Sequence, residues 1–201
     1  MADQSFLEYV KYSPNCFLFV DPSIATMGLA AYQCKVTDNR VSNHLIYSEV
    51  VCRSTVEEPL HIRCRTMYRF VLGMVRELNV SRVYIEIPPE TIYDQKNLDR
   101  NQIIARANSI FKLNAVTYSI FTALADTVRA FPILPVEWEI VRNKKGGAKE
   151  WSLGYANLIL TQQKKNRQLK EGKEQNEADA ITMGDVILRK LAAQSLKQAF
   201  K

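Results

Sequence analysis

Five apolar residues in a row, Cys16-Phe-Leu-Phe-Val20, end abruptly in Asp21-Pro22. A strand alternates its side chains between two faces, so an unbroken apolar run has to be covered on both sides. That requirement selects a sheet sandwiched between other layers, with this segment central and proline stopping it. After a small-residue turn from Ser23 to Gly28, Leu29-Ala-Ala-Tyr-Gln-Cys-Lys-Val36 reads as a second strand. Thr37-Asp-Asn-Arg40 is turn material, and His44 to Arg53, rich in Val, Ile and Tyr, makes a third. The chain therefore opens as an antiparallel meander.

Helical and extended periods then alternate. Pro59 starts a helix whose Ile62, Met67, Phe70, Val71, Met74, Val75 and Leu78 follow a helical period, and Asn79 ends it. Val80 to Ile87 is a fourth strand closed by Pro88-Pro89. A long helix runs from about Asp99 to Asp126. Pro132 and Pro135 bracket a fifth strand through Glu137-Trp-Glu-Ile-Val141, Glu150 to Leu160 is helical, and Asn176 to about Phe200 forms the last helix. The order predicts an α/β protein: a five-stranded mixed sheet, first three strands antiparallel, flanked by helices. With 201 residues and no internal repeat, 1–201 reads as one domain, with 162–175 a basic connector ahead of the last helix.

Composition removes several classes of function. An apolar fraction of 47% with 24% charged residues argues against disorder. Cys16, Cys34, Cys52 and Cys64 form no Cys-x-x-Cys pair, and only His44 and His61 could join them, which argues against zinc and for reduced thiols in a cytoplasmic protein. Met1-Ala-Asp-Gln-Ser has no secretory pattern, and no apolar stretch reaches membrane-spanning length. Gly146-Gly147 is too short for a phosphate-binding P-loop, so no nucleotide cofactor is expected. The net charge of +6 favours a polyanionic partner.

Three carboxylates occupy the ends of apolar segments: Asp21, Glu86 within Val83-Tyr-Ile-Glu-Ile87, and Asp179 opening Asp-Ala-Ile-Thr-Met-Gly-Asp-Val-Ile-Leu188. Each has a simple structural explanation alone, as turn starter, edge charge or helix N-terminal acid. Parallel pairing of strands one and four would set Glu86 beside Asp21, with Asp179 approaching from the last helix. Such an all-oxygen cluster suits Mg2+, with Mn2+ able to substitute, and two such ions can activate water and stabilise a leaving oxygen. Arg142, Lys144, Lys145 and Lys149 make a basic patch suited to phosphate contacts, and any of the three lysines could offset developing negative charge. Lys164 and Lys165 begin a second basic stretch.

From Phe17 to Leu191 the chain resembles the RuvC-like Holliday junction resolvases of the ribonuclease H-like superfamily. Phe19-Val-Asp-Pro-Ser-Ile-Ala-Thr-Met-Gly-Leu29 is similar to that family's first strand and hairpin, Tyr84-Ile-Glu-Ile-Pro-Pro89 to its glutamate strand, and Glu177-Ala-Asp-Ala-Ile181 to its acidic helix. Lys96-Asn-Leu-Asp99 and Ala105-Arg-Ala107 match the helix after the glutamate strand. Val136-Glu-Trp138 with the following Lys-Gly-Gly-Ala-Lys loop looks like phage-type members.

The resemblance implies a homodimeric, metal-dependent nuclease that cuts branched DNA, four-way junctions above all. It makes Asp21, Glu86 and Asp179 the metal ligands, with Asn176 assisting, and Tyr93 a wedge at the junction centre; beside these, Lys145 of the basic loop is the expected catalytic cation and Lys96 a DNA contact. Asn176 stands where the family usually has Asp or His, and Ser23 where it has Gly; Glu177, Glu174 and Asp185 are the alternatives for that ligand. The readings that remain are a junction resolvase, a broader branched-DNA or flap nuclease for viral genome processing, and a non-catalytic DNA-binding protein on a decayed nuclease fold.

Overall fold

The computed structural model describes residues 10, 15–37, 40–51, 58–88, 99–138, 147–172 and 174–199. Strands β1 (Cys16–Pro22), β2 (Met27–Thr37) and β3 (Arg40–Val51) form the antiparallel meander. Helix α1 (Leu60–Glu77) crosses to β4 (Arg82–Glu86), and α2 (Arg100–Leu124) crosses to β5 (Arg129–Ile133). A short turn of helix, α3 (Pro135–Trp138), then α4 (Gly147–Gln162) and α5 (Gln175–Ala199) complete the order. The sheet order is β3-β2-β1-β4-β5, with β4 parallel to β1 and β5 parallel to β4. The mixed five-stranded sheet is thus as the sequence predicts, and β1 lies at its centre.

Strand alternation divides the core in two. Phe17 and Phe19 face one side with Tyr32 and Tyr84, and Ala178, Ile181 and Leu188 of α5 cover them together with Ala156 and Leu160 of α4. Leu18 and Val20 face the other side with Val83 and Ile85, beneath Met67 and Val71 of α1 and Val116 and Ile120 of α2. An aromatic row crosses the first face: the Phe19 and Tyr84 rings stack with centroids 5.0 Å apart, and Tyr84 and Phe131 at 5.3 Å.

Helix α5 is pressed against β2 because two glycines leave room for it. A Cβ at Gly28 would sit 1.9 Å from the backbone oxygen of Asn176, and one at Gly184 would sit 2.5 Å from the Tyr32 ring. The Tyr32 hydroxyl, buried on that face, donates to the Ile181 carbonyl at 2.7 Å. Asp99 caps α2 reciprocally with Gln102, and Asn79 ends α1 in a left-handed conformation at φ 49°.

The fifth strand departs from the sequence-based expectation. It is Arg129–Ile133, and the Pro135–Trp138 segment expected to be extended is helical; 139–141 lie outside the described residues. Pro132 sits within the strand because β5 is an edge, whose outer side has no ladder for proline to break. Pro135 occupies the first helical position, where its missing N–H costs nothing, and Glu137 Oε2 accepts the Leu134 N–H at 2.6 Å. No helix among the described residues is long and apolar enough to cross a membrane.

Candidate functional site

The parallel register of β1 and β4 pairs Val20 with Ile85, so one further step sets Asp21 beside Glu86. Asp21 falls on the strand face of Phe17 and Phe19, and Glu86 on that of Tyr84. Both acids therefore face the layer made by α4 and α5. Asp21 also pairs across the hairpin with Gly28, the position against which the first turn of α5 is packed. Asp179 lies in that first part of α5.

The three carboxylates feel one another. Burial raises the Asp21 pKa well above the usual carboxylate range, and the charges of Glu86 and then Asp179 push it further the same way. Two carboxylates at strand ends and one on a helix are thereby held close enough for mutual repulsion.

Asp179 is positioned by groups the sequence does not advertise. Its Oδ1 accepts from the Ser152 hydroxyl on α4 and from Gln175 Nε2 at 2.9 Å, one helical turn earlier. Gln175 Nε2 also lies 2.9 Å from Ser152 Oγ and 3.3 Å from the Lys149 carbonyl, and that carbonyl is 3.0 Å from Ser152 Oγ. Ser152 is fully buried and Gln175 nearly so. This network ties the exposed Lys149 to the rim of the carboxylate cluster.

Asn176 donates through Nδ2 to Thr26 Oγ1 at 2.9 Å. The i, i+3 spacing places it on the helix face of Asp179. Glu177 turns elsewhere: buried, its Oε2 meets an Arg167 guanidinium nitrogen at 2.6 Å. Burial raises the Glu177 pKa, against the pull of the Ser48 hydroxyl and of Arg167. Glu174 accepts from the Lys170 N–H at 2.6 Å, and Asp185 accepts from the Tyr155 hydroxyl at 2.7 Å and Arg189 at 2.6 Å. All three alternatives to Asn176 are engaged away from the Asp21 cluster.

Among the described residues, no three His, Cys, Asp or Glu side chains already stand around a common metal-sized point. The donors nonetheless fit a hard divalent cation: three carboxylates and an amide, all oxygen ligands, whose mutual repulsion a cation would relieve. Gln175 Oε1, on the amide that holds Asp179, is a buried acceptor with no donor among the described residues.

An open groove of about 1040 Å³ runs between the β1–β2 turn, the end of β3 and the connector, lined among others by Thr26, Glu49, Arg167, Lys170 and Glu177. Lys164 and Lys165 line a shallower cavity of about 360 Å³ with Asn166, Arg167 and Gln168. Lys164 adopts φ 56° just past α4, where cations also favour the helix C-terminus. Tyr93, Lys96, Arg142, Lys144 and Lys145 lie outside the described residues.

No protein-family model matches the sequence, and no curated protein matches it. Solved structures do match. Thermus thermophilus RuvC superposes with a TM-score of 0.57 at 17% identity, covering 87% of this chain and 95% of its own. The chain has a RuvC-like fold. The same enzyme solved in complex with a Holliday junction substrate matches at 0.57 and 15% identity over the same shares. Yeast mitochondrial Ydc2, a Holliday junction resolvase, matches at 0.58 and 13% identity, covering 94% of this chain and 84% of its own. At these identities the RuvC-like likeness is one of architecture, so the chemistry of the site rests on this chain's own carboxylates.

Proposed function

We propose that this protein is a homodimeric, Mg2+-dependent endodeoxyribonuclease that resolves four-way DNA junctions by paired phosphodiester hydrolysis. One observation carries the reading: Asp21, Glu86 and Asp179 converge on one face of a RuvC-like sheet, where burial raises the pKa of Asp21 and the charges of the other two add to it. Asp21 and Glu86 are fixed by strand pairing, and Asp179 by Ser152 and Gln175, so the ligands come from rigid elements. Asn176 contributes a neutral amide oxygen beside them.

Bound Mg2+ would supply Lewis-acid stabilisation of the phosphate and a nucleophile at neutral pH. Lys149, held at the rim through its carbonyl, places a positive charge beside the scissile phosphate, with Lys145 in the same role. The basic residues Arg142, Lys144, Lys164 and Lys165 hold DNA arms through phosphates, while Tyr93 wedges at the branch point near Lys96. The exposed apolar side chains of α2, Ile104, Phe111 and Tyr118, form the dimer surface, which pairs two sites for symmetric incision.

Incision of a four-way junction, a Y-fork and plain duplex in Mg2+ tests the reading. A dedicated resolvase cuts the junction in preference to the other two, and cutting depends on Mg2+ or Mn2+. Equal cutting of all three would replace it with the broader branched-DNA nuclease.

A further inference from the structure

The turn that follows Asp21 determines which end of the Asn176 amide the protein holds. The Ser23 hydroxyl donates to the Thr26 carbonyl at 2.6 Å and accepts the Thr26 N–H at 3.0 Å. Ser23 has one hydroxyl proton, and that bond uses it. The two hydroxyl oxygens lie 3.0 Å apart, so Thr26 Oγ1 is the donor between them. Thr26 has then spent its own proton and can only accept from Asn176. The side chain that meets it at 2.9 Å must present its NH2, which leaves Oδ1, with no partner among the described residues, as the amide's ligand atom.

The backbone fixes the other end of this relay. The Asn176 carbonyl rests against Gly28, which pairs with Asp21 across the hairpin, so the backbone of residue 176 is packed beside the acidic strand. We propose that Ser23 and Thr26 are positioning residues: their one-way chain of hydroxyl protons holds the Asn176 amide with its oxygen turned to a divalent cation shared with the carboxylates. A neutral ligand with two dissimilar ends needs such a relay. A carboxylate at 176, whose two ends are alike and both acceptors, would simply take the Thr26 proton.

This inference rests on the nuclease reading, and the test separates the two. Mn2+ is titrated calorimetrically into the DNA-free protein, with thermal unfolding run on each variant to confirm the fold. Ser23→Ala and Thr26→Val, the second preserving shape, weaken the weaker Mn2+ site about tenfold, as loss of an orienting partner typically does. Asn176→Asp keeps or strengthens that site, and in its background Ser23→Ala changes affinity by less than about twofold, because the orienting role is gone. Wild-type Mn2+ affinity in Ser23→Ala, or an equal loss in both backgrounds, would overturn the relay while leaving the nuclease reading intact. A wild-type protein that binds no Mn2+ would overturn both.

Discussion

The fold disfavours the ionised form of Asp21. Burial and two neighbouring carboxylates raise its pKa, so in the metal-free protein the folded state binds a proton that the unfolded chain gives up more readily. Stability contributed by that proton is complete below the ordinary carboxylate range and is lost as pH rises through the raised folded value. We predict that Asp21→Asn melts higher than wild type in metal-free buffer, by about 2–4 °C for each kcal/mol of repulsion removed, with the gap widening as pH rises. A second prediction concerns Ser152, which touches no DNA in this account and acts through Asp179. Ser152→Ala should lower cleavage and metal affinity about tenfold while junction binding is kept, and Ser152→Thr should recover part of the loss if its methyl is accommodated. Equal loss of junction binding would mark Ser152 as a general packing residue instead.

At the scale of elements, the decisive feature is the close approach of α5 to β2. A Cβ at Gly28 would lie well inside contact distance of the Asn176 backbone, which cannot rotate away as a side chain would. Gly28→Ala should therefore cost about 1–3 kcal/mol in chemical denaturation and reduce cleavage by displacing the first turn of α5. Gly73→Ala is the matched control. Nothing lies near a Cβ there, and helix propensity favours alanine by about 0.8–1 kcal/mol, so stability should hold or rise.

Most elements were legible in the sequence because their signals are local: the doubly apolar run of β1, the capping Asp99, the helix-ending Asn79. β5 was not, because proline reads as a boundary unless the strand is known to be an edge, and edge position is a property of the whole sheet. Asp21, Glu86 and Asp179 were legible as acids beside apolar segments. Their supports were not: Ser152 reaches Asp179 only because α4 packs on α5, a contact across 27 residues of chain. Gln175 carried a readable signal, the i, i+4 spacing to Asp179.

For the whole molecule, the proposed homodimer would pair two sites through α2. The first half of α2 leaves Ile104 and Phe111 on the surface, and Tyr118 further along is 63% exposed. Phe111, at 70% exposed, can be changed without touching the core. Phe111→Glu should shift the sedimenting species from dimer to monomer with little change in unfolding temperature, and should uncouple the two incisions of one junction. A dimer that survives this change would place the interface elsewhere.

The central claim is that the carboxylate cluster is the catalytic metal centre and not a structural ornament of the fold. Its most direct test follows a labelled four-way junction with wild type and Asp21→Asn in Mg2+, measuring incision and binding on the same samples. The variant should bind the junction about as tightly as wild type and leave it uncut. Cleavage by Asp21→Asn at the wild-type rate would contradict the claim.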